Sequence, residues 1–253
     1  MDPRFSLKIY PRKDVVYKGK ASLDFAAIGA KVYMDRKKGK CEGFNRWLIH
    51  GIIGIVVGTI AFGMGFAEEN LANFHARYTQ KLLNEGYGVG AVYGFWVGFS
   101  ICMAFLAAFV TVMIGPYAAG SGVPEVMGLL NGVNYHGAID VLTLFSKVVG
   151  VVLAVVANLC VGKEGPLVHI GAIVGTMIPY IPLDDFKCFR NDSDKRTFMA
   201  AGSSAGVAAA FGAPIGGALF TYEISKPNTF WSFSMLWRVF FTAAISTFTL
   251  GFW

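Results

Sequence analysis

Val161-Gly162-Lys163-Glu164-Gly165-Pro166, continued by Leu167-Val168-His169-Ile170-Gly171-Ala172, sets a lysine and a glutamate side by side between apolar sequence. An apolar run from Val148 to Val161 leads into it. Ionisable groups flanked in this way cost roughly 2.5–3.5 kcal/mol each at the centre of a membrane helix, so their default reading is functional. Gly165-Pro166 is a helix-starting signal, because proline is tolerated in the first turn, where its missing N–H is no loss. Glu164 is therefore expected just ahead of a helix whose open N–H groups and positive dipole end attract anions. A carboxylate at such a place acts as a plug that competes with the anion. The plainer alternative is a local Lys163–Glu164 pair that serves structure only.

The composition agrees with a membrane setting. Of 253 residues 55% are hydrophobic and only 15% charged, and the mean hydropathy is +0.53. These values belong to a multi-span, all-α membrane protein rather than a soluble domain. Cys41, Cys102, Cys160 and Cys188 show no metal-ligand spacing. Cys102 and Cys160 lie in apolar runs and are expected as small core residues, not disulfide partners. No secretory signal is visible at the start, so the first span is expected to direct insertion itself. Lysines and arginines from Arg4 to Arg46 carry much of the net charge of +6. The positive-inside rule then puts the N-terminus in the cytosol. Nucleic-acid binding, the competing reading of a basic segment, has no recognisable module here, whereas attraction to anionic lipid headgroups fits.

Along the chain, residues 1–45 read as a cytosolic tail and 46–253 as a membrane domain. A first span runs from Trp47 to about Phe66 and contains Gly54-x-x-x-Gly58, spaced for close approach of another helix. Residues 67–89 read as an amphipathic or loop connection. A second span covers Val92 to Ile114, ended by Gly115-Pro116. After Gly120-Ser121-Gly122-Val123-Pro124-Glu125, the apolar piece to Leu130 is too short for the ~20 residues a crossing needs. A third span covers Leu142 to Val161, and Leu167 to Ile181 is again short. Ile181 to Arg196 is a polar loop. Phe198 to Phe211 is rich in Ala, Gly and Ser, which pack backbone to backbone in membrane proteins. Ile215 to Glu223 follows an interruption at Gly212-Ala213-Pro214, and Phe230 to Trp253 is the last apolar segment. Long spans mixed with short, Gly/Pro-interrupted ones are how membrane proteins build ion sites from backbone dipoles.

Two broken-helix starts carry the chemistry. Ser121 is a natural N-cap residue and Pro124 suits a first turn, with glycines that let an ion approach backbone N–H groups. If the serine hydroxyl donates outward instead of capping, it is a ligand for a chloride-sized anion; otherwise the stretch is a plain capped turn. The second start is Gly162–Pro166. Neither is a nucleotide loop, since the Walker and dinucleotide glycine patterns are incomplete. His169 reads as a satisfied core histidine, and Glu223 as a carboxylate at an aqueous vestibule or a simple interface. No nucleophile–base pair and no metal-ligand spacing is visible, so an enzyme is not expected and no cofactor is implied.

Together these residues resemble the CLC family of voltage-gated chloride channels and chloride/proton exchangers. The matching blocks are Gly120–Glu125, Gly162–Pro166, and Gly212-Ala213-Pro214-Ile215-Gly216-Gly217-Ala218-Leu219-Phe220 with Glu223, in family order over residues 46 to 253. Asn131-Gly132-Val133 and Asp194-Lys195-Arg196 look most like the branch on intracellular, endosomal and lysosomal membranes. The resemblance implies an anion site formed by Ser121, Gly122, Val123, Pro124 and Gly165, with Glu164 as the gating carboxylate. Gly120, Glu125, Gly162, Lys163 and Pro166 support the two motifs. It implies chloride as the transported ion and a homodimer in a bilayer. Family exchangers commonly carry a proton-passing glutamate directly after the position of Glu223; here Ile224 stands there, which tilts the expectation towards a gated channel over an antiporter. The resemblance also covers only the first of the family's two inverted halves, without the cytosolic CBS domains. The chain is accordingly expected to be a fragment, or half of a two-chain assembly, that does not conduct alone. A non-conducting regulatory subunit is a further reading.

Overall fold

The structure, a computed structural model, describes residues 20–22, 43–135, 137–181, 186, 189, 192–225 and 231–253. Most of the tail expected over 1–45, Cys41, His136, Cys188 and much of the loop expected before Arg196 lie outside the described residues. The described chain is all-α apart from one short ladder. Its elements are β1 (Lys20–Ser22), α1 (Phe44–Asn84), α2 (Val89–Met113), α3 (Val123–Leu130) and β2 (Val133–Tyr135), then α4 (Val141–Val156), α5 (Glu164–Met177), α6 (Asp192–Phe211), α7 (Pro214–Ser225) and α8 (Phe233–Phe252). β1 and β2 pair antiparallel, with Ala21 opposite Asn134.

α1, α2 and α8 are long and apolar enough to cross a membrane. The connection expected over 67–89 is instead mostly helix, because α1 runs unbroken for 41 residues. At 1.5 Å per residue it spans about 60 Å, twice a hydrocarbon core, so it must tilt or project beyond it. Glu68 and Glu69 do not stop it. Glutamate is a good helix former, and Glu68 is paired with Lys163. α4 is shorter than the third span expected to reach Val161. It closes at Ala157, and Asn158 takes a left-handed φ of 57°, which turns Leu159–Lys163 into a loop.

The core gathers around α6, which packs against α5, α8, α7 and α1. Its small-residue face makes that possible. A Cβ on Gly171 or Gly175 of α5 would collide with the backbone of Gly202 or Phe198, and one on Gly206 with that of Leu167. The two helices are thus in direct backbone contact, as the Ala/Gly/Ser composition implies. The Gly54–Gly58 pair serves α8 in the same manner. A methyl added at Gly54 would stand 2.7 Å from the Thr242 carbonyl, and at Gly58 2.6 Å from that of Ser246. α2 is different: only 6% of its apolar window is buried within the chain. Its apolar residues face outward, as lipid or a further protein surface demands. That outward face corrects one expectation, for Cys102 on α2 is exposed, as is Cys160 in the loop after α4, and both are free thiols. An apolar run in a membrane protein places residues against lipid as readily as in a core.

Candidate anion site

The two broken-helix starts meet. Gly165, the second residue of α5, lies against the loop that leads into α3, and a Cβ there would stand 2.8 Å from the Cβ of Ser121. One residue on, Gly122 is buried with a φ of 82°. A Cβ at that position would run into the imidazole of His169 on α5. Both glycines are therefore required by contact, and at Gly122 also by the left-handed backbone.

Gly122, not Ser121, occupies the N-cap position of α3, and a glycine there offers no side-chain cap. Of the two roles the sequence leaves open for Ser121, the cap position is taken by its neighbour. Its oxygen accepts only a long bond, 3.4 Å, from the Val123 N–H, and the residue is exposed. The hydroxyl hydrogen is then available to an outside acceptor. α5 likewise starts one residue earlier than expected, with Lys163 at the cap and Glu164 as its first helical residue. Pro166 thus falls in the first turn, where α5 has no N–H partner to lose. The Glu164 carboxylate folds back over Gly162, occupying the space a Cβ there would need.

Ser121 and Glu164 line one cavity of about 770 Å³, together with Gly120, Gly162, Gly165 and Pro166, against walls from α2 and α4. The wall of α4 contributes Lys147, which the sequence reading missed. Its side chain is 1% exposed, and the ammonium donates to the carbonyls of Ala118 and Gly120, both at 3.0 Å. A buried cation therefore grips the loop carrying Ser121. The signal was present: a lysine inside the apolar stretch Leu142–Val161 is as costly as the pair at 163–164. Glu125, in the first turn of α3, acts electrostatically on both Lys147 and His169. His169 is fully buried and its Nε2–H donates to the Ala138 carbonyl at 2.8 Å, the core role expected of it. Its Nδ1 faces Gly122 without a hydrogen-bond partner among the described residues.

The cavity thus combines a buried ammonium, the positive end of α5 and a hydroxyl donor, a combination that favours small anions. One carboxylate reaches into the same space. Elsewhere, Glu223 is exposed on α7 and Ile224 is half-buried, with the Ile224 carbonyl accepting a bond from the Asn131 side-chain amide at 3.1 Å. Neither lines the cavity.

The family model described as voltage gated chloride channel matches residues 102–253. Similar curated proteins include chloride channel protein C of Dictyostelium discoideum, 38% identical over 83% of this chain and 28% of its own length. The H(+)/Cl(-) exchange transporter 7 of Homo sapiens is also 38% identical, over 82% of this chain and 27% of its own. This chain therefore spans under a third of the length of these relatives. Among solved structures, a eukaryotic CLC transporter superposes with a TM-score of 0.71 at 24% identity, over 80% of this chain and 37% of that one. A slow cyanobacterial Cl-/H+ antiporter superposes with a TM-score of 0.70 at 23% identity, over 82% and 46%.

Proposed function

The chain belongs to the voltage-gated chloride channel family, and on that premise we propose that it supplies the central anion site of a proton-coupled chloride exchanger in a membrane. One observation carries this reading: Ser121 and Glu164, 43 residues apart in sequence, line a single cavity whose wall holds the buried ammonium of Lys147. In the proposal the Ser121 hydroxyl and the N–H groups at Gly122, Val123 and Gly165 bind chloride. The Glu164 carboxylate occupies the same place until a proton neutralises it or chloride displaces it. Exchange is favoured over passive conduction because an H(+)/Cl(-) exchange transporter stands among the similar proteins. Glu223, exposed on α7, is then the carboxylate that handles protons at the inner mouth.

Ile224 favours a second reading, a gated channel. A half-buried isoleucine cannot take up a proton where exchangers of the resembled family commonly keep a glutamate. In both readings the protein moves ions without a covalent step. The N-terminus faces the cytosol in an intracellular membrane, and the complete product pairs as a homodimer, which light scattering of the purified protein in detergent tests.

The deciding experiment reconstitutes the product of the complete gene in liposomes under an imposed chloride gradient and follows chloride and protons together. Stoichiometric proton movement supports exchange. Chloride flux without protons supports the channel, and the absence of chloride flux refutes both. In either case Glu164→Ala should leave flux that no longer responds to external pH.

A further inference from the structure

Lys163 does not turn towards its neighbour Glu164. Its ammonium donates to Oε2 of Glu68, 95 residues earlier on α1, at 2.7 Å. The Glu68 side chain is 10% exposed and that of Lys163 41%. The other carboxylate oxygen of Glu68, Oε1, is buried and has no hydrogen-bond partner among the described residues. The pair lies on a cavity of about 470 Å³ lined by α1, α2, the end of α4 and the loop after it, separate from the one holding Ser121. A carboxylate buried to this degree and left half-satisfied is retained at an energetic cost. Among the described residues it pairs with the lysine at the N-cap position of α5, which directly precedes Glu164.

We infer that Glu68 is a positioning residue for the Glu164 gate: it holds Lys163 aside and cancels its charge, and so sets the external pH at which the gate opens. The inference rests on the reading of Glu164 proposed above. With Glu68 absent, the Lys163 ammonium is uncompensated and adjacent residues allow it to reach the Glu164 carboxylate. An ammonium beside a carboxylate favours the charged form, which is the form that occupies the anion site. More protons are then needed to clear it. The other ionisable groups lining the two cavities are Glu69 and His75 from α1 and Lys147 from α4, with Glu125 of α3 acting on Lys147. α2 contributes none to either lining. His75 is buried and stacks on Phe99 with ring centroids 4.3 Å apart. All of these are unchanged in the variants below, so the effect of the pair can be read alone.

The test measures chloride flux against external pH for the complete gene product in liposomes. In Glu68→Gln the half-maximal pH should fall by about 0.5–1 unit, three- to tenfold more protons, allowing for partial exposure of Lys163. Lys163→Gln leaves Glu68 uncompensated and should move it the opposite way. The double variant should lie near the wild type, and Glu68→Asp should recover most of the shift. Lys163→Gln alone decides the sign if Glu68→Gln does not fold. An unmoved half-maximal pH in both single variants, or a shift in the same direction in both, overturns the inference. If these occur while Glu164→Ala abolishes the pH response, the reading of Glu164 stands without it. If Glu164→Ala keeps the full pH response, that reading falls and the inference falls with it.

Discussion

Replacing Lys147 by methionine removes a charge while keeping nearly the same volume, at a residue 1% exposed. The ammonium is 3.0 Å from the Gly120 carbonyl, and Ser121 is the next residue. With consecutive Cα atoms 3.8 Å apart, an anion held by the Ser121 hydroxyl sits on the order of 8 Å from the ammonium. Two unit charges at that distance attract by about 2 kcal/mol at an effective dielectric of 20. Chloride should therefore bind roughly 30-fold more weakly to Lys147→Met. Stability should change far less. Two carbonyls lose a charged donor, each such bond being worth about 1.5–3 kcal/mol, but the desolvation penalty of a buried ammonium disappears with it. Isothermal titration of the purified complete gene product with chloride measures the first effect, and thermal melting in detergent the second. A folded variant that binds chloride as tightly as the wild type would refute the electrostatic role of Lys147 and the placement of the anion beside Ser121.

Two further substitutions probe contacts. In Gly165→Ala the new methyl meets the Ser121 Cβ at 2.8 Å, so the loop must move; chloride affinity should fall at least tenfold in the same titration, with a stability loss of about 1–3 kcal/mol. Gly206→Ala sets a methyl into the backbone of Leu167, where no side chain can rotate away. It should cost several kcal/mol, seen as loss of the monodisperse peak in size-exclusion chromatography.

The local features of this chain were legible and the distances between them were not. The short α3 and α5 follow from Pro124, Pro166 and the limited apolar runs after them, and the backbone contact of α5 with α6 follows from the glycines and alanines of 201–210. The end of the first helix is not legible because the apolar run stops near Phe66 while the helix continues through polar sequence to Asn84. Only the tertiary partner Lys163 reveals why a carboxylate continues the helix there. The sequence alone leaves Ser121 open as cap or outward donor, because the preference for serine at a cap is statistical, and the left-handed φ of Gly122 decides which residue caps. Lys147 was overlooked although its apolar surroundings announce it. The two strands were not foreseen, since three residues each leave no periodicity to read.

Both helices that present the proposed anion site are short, and this decides where its rigidity comes from. α3 has 8 residues and α5 has 14, at or below the length at which an isolated helix holds its shape. The N-cap of α3 is a glycine, with no side chain to hold it, and Gly120, Gly122, Gly162 and Gly165 add backbone freedom that must be lost on folding. Such a loop cannot hold Ser121 and Glu164 within a fraction of an ångström by local forces. The constraint has to come from contacts of high sequence separation: Lys147 on the carbonyls of Ala118 and Gly120, His169 on that of Ala138, and the glycine-to-backbone contact of α5 with α6. Each of these uses a residue that would be unfavourable in an isolated membrane helix, a buried cation, a buried imidazole and a row of glycines. The features that look like local defects are therefore the ones that fix the site, and substitutions that improve local helix propensity at them should weaken anion binding.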